Sequence, residues 1–153
     1  MGRYGATVVW ERGAAAFVGG AYSREHRWDF DGGVSVVASA SPQIVKLPHS
    51  REDAVDPEEA FVAAIASCHM LWFLSIAAER GHIVERYEDA AVGLLAKNAE
   101  GKLAMTKVTL RPRVTFAEAA TREALEALHH AAHEECFLAK SVTSEVVIEP
   151  LYE

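Results

Sequence analysis

The chain has 153 residues, of which 50% are apolar and 24% charged, a composition typical of a folded globular protein. Its formal net charge of −7 disfavours nucleic acid or an anionic membrane as a partner, because both attract clustered lysines and arginines and the fifteen basic residues here are scattered. At this length we expect one hydrophobic core and a single domain over residues 1–153.

The N-terminal residues contain no apolar run with a small-residue cleavage site, so we expect a cytoplasmic protein. The segment from Ala60 to Ala78 carries no Asp, Glu, Lys or Arg and approaches the length that spans a bilayer. It also contains Ser67, His69 and Ser75 and has no basic cluster at either end. We therefore interpret it as a helix buried at the centre of the domain, with a membrane span as the alternative.

The first third of the chain predicts antiparallel β-structure. Residues 4–12 alternate apolar and polar side chains, as strands do. Further strands are expected within 15–30 and 34–40, joined by the turn Asp31-Gly32-Gly33. Residues 41–55 contain two prolines and no clear period, which predicts a connecting loop.

A long helix is predicted to begin at Asp56. This residue suits the N-cap, Pro57 suits the first turn, and Glu59 completes a capping box. Glu58 and Glu59 complement the positive end of the helix dipole. The helix is expected to end at Gly81.

The second half predicts two long strands, 83–97 and 102–116, joined by a turn at 98–101. A helix capped by Thr121 follows, and a last strand covers about 142–149. The order of strands, long helix, strands, helix and strand defines an α+β protein.

The two cysteines are too few for a disulfide scaffold of the kind found in small secreted domains. Alone, they are as well explained as small buried side chains. On the second helix, however, Leu125, Leu128 and Ala132 form an apolar stripe, and its next position is Cys136. Cys136 should therefore face inward.

Three motifs carry a family resemblance. They are Asp56-Pro57-Glu58-Glu59-Ala60-Phe61, Ala66-Ser67-Cys68-His69 and Ala132-His133-Glu134-Glu135-Cys136. With the order of elements, they resemble the OsmC/Ohr family of osmotically inducible and organic-hydroperoxide-resistance proteins. The resemblance implies an intertwined homodimer in which antiparallel β-sheets wrap long central helices. It also implies reduction of small organic hydroperoxides without a metal or cofactor, and recycling by a dithiol reductant such as a lipoylated protein.

The resemblance assigns roles to individual residues. Cys68 corresponds to the peroxidatic cysteine, which becomes a sulfenic acid, and Cys136 to the resolving cysteine, which forms a disulfide with it. Glu58 corresponds to the acidic partner of an active-site arginine. No arginine lies at the family's spacing, so Arg24 is our first candidate.

Cys68 requires a nearby positive charge, because the nucleophile is the thiolate and a free thiol has a pKa of about 8.5. The helix dipole cannot supply it, since Cys68 lies about 16 Å along the axis from Pro57 and dipole effects fade within one turn. An arginine would also stabilise the alkoxide that leaves. Arg27 and Arg51 are the alternatives to Arg24.

The position of Glu58 argues for two subunits. Ten residues of one helix separate it from Cys68, a distance of about 15 Å. If two copies of the helix pack antiparallel about a two-fold axis, Glu58 of one chain approaches Cys68 of the other. Four neighbouring apolar residues are candidates for a hydroperoxide pocket, or alternatively for the core: Phe61, Ile65, Trp72 and Phe73.

Two other functions fit the sequence. His129, His133 and Cys136 recur on one helix, and His69 adjoins Cys68, so a zinc or copper site is the alternative from another class. A non-catalytic dimer that binds a small hydrophobic ligand in its apolar cleft is the second.

Overall fold

The computed structural model describes residues 1–152, which form eight strands and three helices and confirm the α+β class. The chain packs as two compact units, the first comprising residues 1–60 and the second beginning at Phe61. The expectation of a single domain over residues 1–153 stays a prediction.

The first unit contains an antiparallel sheet, as expected. Its strands are β1 (Ala6–Val9), β2 (His26–Phe30) and β3 (Ser35–Ala38), in that order. The predicted turn joins β2 to β3, where Gly33 has a φ of 83° that a residue with a side chain rarely adopts. β1 is shorter than the predicted 4–12, and residues 41–55 form the expected connection to the long helix.

Helix α1 (Pro57–Glu79) begins and ends as predicted. The backbone N–H of Glu59 donates to Oδ1 of Asp56 at 2.8 Å, and the N–H of Asp56 donates to Oε2 of Glu59 at 3.3 Å. At the other end, His82 N–H donates to the Ala77 carbonyl and Gly81, with a φ of 80°, donates to that of Ala78. Both ends therefore satisfy backbone groups that a helix leaves unpaired.

The two long strands predicted in the second unit are each broken in the middle. The observed strands are β4 (Val84–Asp89), β5 (Val92–Lys97), β6 (Leu103–Leu110) and β7 (Pro112–Phe116). β5 pairs with β6 and β4 pairs with β7, in two separate sheets. The backbone N–H of Arg111 donates to the Asp89 carboxylate at 2.7 Å. At the break, a side chain therefore takes the place of a backbone partner on the neighbouring strand.

The C-terminal part confirms the second helix and adds two features. α2 (Arg122–Glu135) is capped by Thr121, whose hydroxyl accepts the Ala124 N–H. A short helix, α3 (Phe137–Lys140), follows. The last strand, β8 (Glu145–Ile148), pairs in parallel with β6, whereas the other pairing in the same sheet, between β5 and β6, is antiparallel. A parallel partner is available because α2 and α3 return the chain to the same edge.

The core of the second unit consists of two clusters. The first joins α1 and α2 through buried Phe73, Ile76 and Leu128, and the second joins α1 and β6 through Ile65 and Val108. Ile65 and Phe73 are 1% and 0% exposed, so they are core residues and do not line an accessible pocket.

Much of α1 is uncovered within one chain. The helix is long and apolar enough to cross a membrane by length and composition, yet only 28% of its most apolar stretch is buried. Leu71 is 61% exposed. An apolar helix with so little cover needs a further surface against which to pack.

Candidate functional site

Cys68 and Cys136 lie next to each other in the second unit. Cys68, on α1, is half-buried, whereas Cys136, at the C-terminal cap of α2, is 0% exposed, and both are free thiols. The apolar stripe of α2 directs Cys136 inward as predicted, since Leu125, Leu128 and Ala132 are buried with it.

The two thiols have different surroundings. Burial raises the pKa of the Cys136 thiol, and the Cys68 side chain raises it further through a hydrogen bond and its charge, against the opposing effect of nearby backbone N–H groups. Cys136 therefore stays protonated near neutral pH, while the more accessible Cys68 is the thiol that a small molecule can approach.

Aromatic side chains flank the cysteines on the same two elements. Trp72 lies one turn beyond Cys68 on α1, and Phe137 directly follows Cys136. Their rings meet edge to face with centroids 5.4 Å apart. This contact holds the region around Cys136 against the middle of α1.

A pair of buried histidines connects α1 and α2. Nε2 of His69 and Nδ1 of His129 are 3.1 Å apart, and the side chains are 0% and 3% exposed. The pKa of His69 is lowered to about 4, mainly by burial and also by the nearby charge of His133. The pKa of His129 is lowered to about 3, mainly by burial and also by the nearby charge of His69. The pair is therefore neutral at physiological pH.

The three candidate arginines belong to the first unit and differ in their partners. Arg27 pairs with Asp29 at 2.8 Å, and Arg51 pairs with both Glu25 and Asp53 at 3.0 and 2.6 Å. Within residues 1–152, Arg24 forms no ion pair. Its Nη1 donates to the carbonyls of Gly20 and Tyr22, and its guanidinium carbon lies 3.7 Å from the centre of the Tyr22 ring.

An apolar pocket of about 490 Å³ surrounds Arg24 in the first unit. Its walls come from β1, β2, the loops of this unit and the first residue of α1, and they comprise Val8, Trp10, Phe17, Tyr22, Arg24, His26, Ala40 and Pro57. The rings of Phe17 and Tyr22 stack at 4.6 Å, and Trp10 lies within 5.8 Å of both. A guanidinium without a carboxylate in an apolar pocket can bind an electronegative oxygen.

Glu58 lies in the first turn of α1, where its Oε2 is buried and has no hydrogen-bond partner among residues 1–152. A buried carboxylate oxygen of this kind calls for a donor. The same described residues contain no group of three or more His, Cys, Asp or Glu side chains placed to hold a metal ion, so the geometry gives the metal-site alternative no support.

The sequence motifs singled out both cysteines, which the structure brings together, but not the pocket in the first unit or the histidine pair. Phe17 and Tyr22 lie in irregular backbone, where no hydrophobic period reveals their packing. The histidine pair left a faint signal, because His129 lies one position after Leu128 on the buried face of α2.

The fold and these side chains define a small α+β protein with two adjacent thiols. The family model for OsmC-like proteins matches residues 50–150, and the chain therefore belongs to the OsmC-like protein family. No curated protein matches the sequence.

Solved structures cover almost the whole chain. An OsmC-like protein of unknown function from Vibrio cholerae is 54% identical, with a TM-score of 0.96 over 99% of this chain and 100% of that one. The organic hydroperoxide resistance protein OhrB of Bacillus subtilis is 22% identical, with a TM-score of 0.70 over 97% and 98% of the two chains. An organic hydroperoxide resistance protein from Elizabethkingia anophelis is 16% identical, with a TM-score of 0.72 over 98% of this chain and 94% of that one. At the two lower identities, the likeness establishes the fold.

Proposed function

We propose that this chain is a thiol-dependent peroxidase that reduces organic hydroperoxides in defence against oxidative stress. The observation that carries the proposal is the pairing of half-buried Cys68 with fully buried Cys136 in a member of the OsmC-like family. Two structural relatives bear the name of organic hydroperoxide resistance. Two free thiols also suit the cytoplasm, where thiols stay reduced.

In the first step, the Cys68 thiolate attacks the terminal oxygen of the hydroperoxide. A sulfur–oxygen bond forms while the oxygen–oxygen bond breaks, and the alkoxide takes up a proton and leaves as an alcohol. Cys68 is thereby oxidised to a sulfenic acid. Its greater accessibility favours it over Cys136 for this step.

In the second step, the Cys136 sulfur attacks the Cys68 sulfenic acid. The sulfur–sulfur bond forms and the sulfur–oxygen bond breaks, so the hydroxyl group leaves as water with the proton from Cys136. A small dithiol, such as a lipoyl group, then supplies two electrons and restores both thiols by exchange.

We assign the activation of Cys68 to Arg24, held by Glu58. Arg24 has no carboxylate partner in its own unit, and Glu58 has a buried oxygen without a donor, so each can accept a new partner. Because Glu58 is about 15 Å from Cys68 along α1, the complete site requires a homodimer. The uncovered apolar surface of α1 supports the same assembly.

The aromatic pocket around Arg24 is the proposed site for the organic group of the hydroperoxide. Its apolar walls favour alkyl and aryl groups over hydrogen peroxide. The same pocket supports a second candidate function, the binding of a small hydrophobic ligand without catalysis.

Turnover of cumene hydroperoxide with dihydrolipoamide as reductant tests the proposal. We expect the wild type to consume peroxide and Cys68→Ser to be inactive. Cys136→Ser should complete one turnover and then accumulate sulfenic and sulfinic acid on Cys68, measured as added oxygen by mass spectrometry.

Ligand binding without consumption by the wild type would establish the second candidate and exclude the peroxidase. Equal consumption by the wild type and Cys68→Ser would likewise overturn the proposal, because no other thiol is as accessible.

A further inference from the structure

The link between His69 and His129 is directional. The ring planes differ by 7° and the centroids are 5.4 Å apart, whereas Nε2 of His69 and Nδ1 of His129 approach to 3.1 Å. The rings therefore face each other edge to edge in nearly one plane and do not stack by their faces. Such an arrangement is a hydrogen bond in which one ring donates its N–H and the other accepts.

Packing alone does not account for two imidazoles at this place. Nδ1 of His69 and Nε2 of His129 are buried without a partner among residues 1–152, and burial without a partner is unfavourable. The neighbours are largely apolar or aromatic, with the Phe73 ring 4.4 Å and the Tyr87 ring 6.4 Å from His129. Two apolar residues would fill this space without the free-energy cost of burying unpaired nitrogens. They would not, however, specify one position of α1 relative to α2.

The link joins the two helices that carry the cysteines. His69 directly follows Cys68 on α1, and His129 lies two turns before Cys136 on α2. A disulfide requires α-carbons within about 4.4–6.8 Å of each other, so a slip of one helix by a single turn separates the sulfurs.

We propose that His69 and His129 are positioning residues for the disulfide step, fixing the register of α1 against α2 so that the Cys136 sulfur stays within reach of Cys68. The inference rests on the proposed function, in which this disulfide is the second intermediate. The histidines exchange no electrons with the cysteines. Their hydrogen bond acts only through the placement of the two helices.

The test is the equilibrium constant for the Cys68–Cys136 disulfide in buffers of reduced and oxidised glutathione, with the two forms separated by thiol alkylation and mass spectrometry. No peroxide is involved. We expect the double variant His69→Leu/His129→Leu to lower the constant by about tenfold, the scale of one lost buried hydrogen bond.

Amide side chains provide the rescue. Glutamine places its amide near the position of Nε2 and asparagine near that of Nδ1, so His69→Gln/His129→Asn should restore most of the constant. His130→Leu, at an exposed position of the same helix, is the matched control and should leave it unchanged. A leucine pair with the wild-type constant would overturn the inference.

If the leucine pair fails to fold, two polar variants decide. His69→Gln/His129→Asn retains the reach of the original nitrogens, whereas His69→Gln/His129→Gln has the same polarity and a misplaced second amide. We expect only the first to keep a constant near that of the wild type, and equal constants would contradict the positioning role.

The outcome is separable from that of the proposed function. A wild type that forms the disulfide in glutathione but consumes no peroxide would contradict the peroxidase proposal alone. A wild type that consumes peroxide, with the same disulfide constant in every histidine variant, would contradict the positioning role alone.

Discussion

The different surroundings of the two cysteines support the different roles that we propose for them. Cys136 is fully buried and the pKa of its thiol is raised, which disfavours it as the attacking nucleophile. Cys68 is partly accessible and lies in the middle of α1, far from the positive end of the helix. In the proposed mechanism, its activation must therefore come from a side chain outside its own helix.

The arginines provide a direct test of that source. We expect Arg24→Ala to lower kcat/KM for cumene hydroperoxide by about a hundredfold, because in the proposed mechanism it removes the charged donor that stabilises the leaving oxygen. Arg27→Ala and Arg51→Ala are matched controls, since both arginines are occupied by carboxylates on the surface. A larger loss in Arg51→Ala than in Arg24→Ala would assign the role to the loop before α1.

At the scale of elements, the sequence predicted the features that depend on local chemistry. The cap at Asp56, the glycine stop at Gly81 and the inward position of Cys136 all follow from side chains within a few residues. Cys68 and Glu58 were placed by motif, and the helix that carries them was predicted correctly.

The breaks in the two long strands predicted over 83–97 and 102–116 do not follow from local chemistry in the same way. Apolar side chains alternate from Val108 to Phe116 with Pro112 among them, so period alone indicates one strand, although a proline inside a strand weakens that prediction. The hydrogen bond from Arg111 N–H to Asp89, across 22 positions, ends the ladder there. A single long-range contact of this kind leaves no periodic signal.

The sheet of β5 and β6 packs closely against α1 at Gly93. A methyl group added there would overlap Cε of Met105 and lie 2.6 Å from Cγ2 of Val62. We expect Gly93→Ala to lower the free energy of unfolding by about 1–3 kcal/mol, measured by urea denaturation. Gly32→Ala, where nothing lies within 4 Å, is the control. Equal stability of the two variants would show that Met105 and Val62 move aside.

At the scale of the whole molecule, the neutral histidine pair predicts sensitivity to acid. The pKa of His69 is lowered to about 4 and that of His129 to about 3, whereas the unfolded chain binds these protons near pH 6.5. The unfolded state therefore holds more protons between pH 6.5 and 4, and stability falls as the pH falls through this window.

The loss should amount to about 1 kcal/mol per pH unit for each histidine, measured by urea denaturation at several pH values. His133 on α2 and Tyr87 on β4 are further titratable groups close to the pair. Both are retained in His69→Leu/His129→Leu, which should flatten the curve relative to the wild type. The same slope in both proteins would show that other groups cause the acid loss.

The proposed site also requires assembly, because one chain leaves the apolar surface of α1 uncovered and separates Glu58 from Cys68 by about 15 Å. We expect Leu71→Glu to yield a monomer in sedimentation equilibrium, since a two-fold interface would bury the new charge twice. The monomer should lose peroxide turnover yet keep its disulfide constant in glutathione, because Cys68 and Cys136 belong to the same chain.

Leu71→Met keeps an apolar side chain and should remain dimeric and active. A fully active monomer would show that one chain holds the complete site, and Arg24 would then have to reach Cys68 without a partner's Glu58.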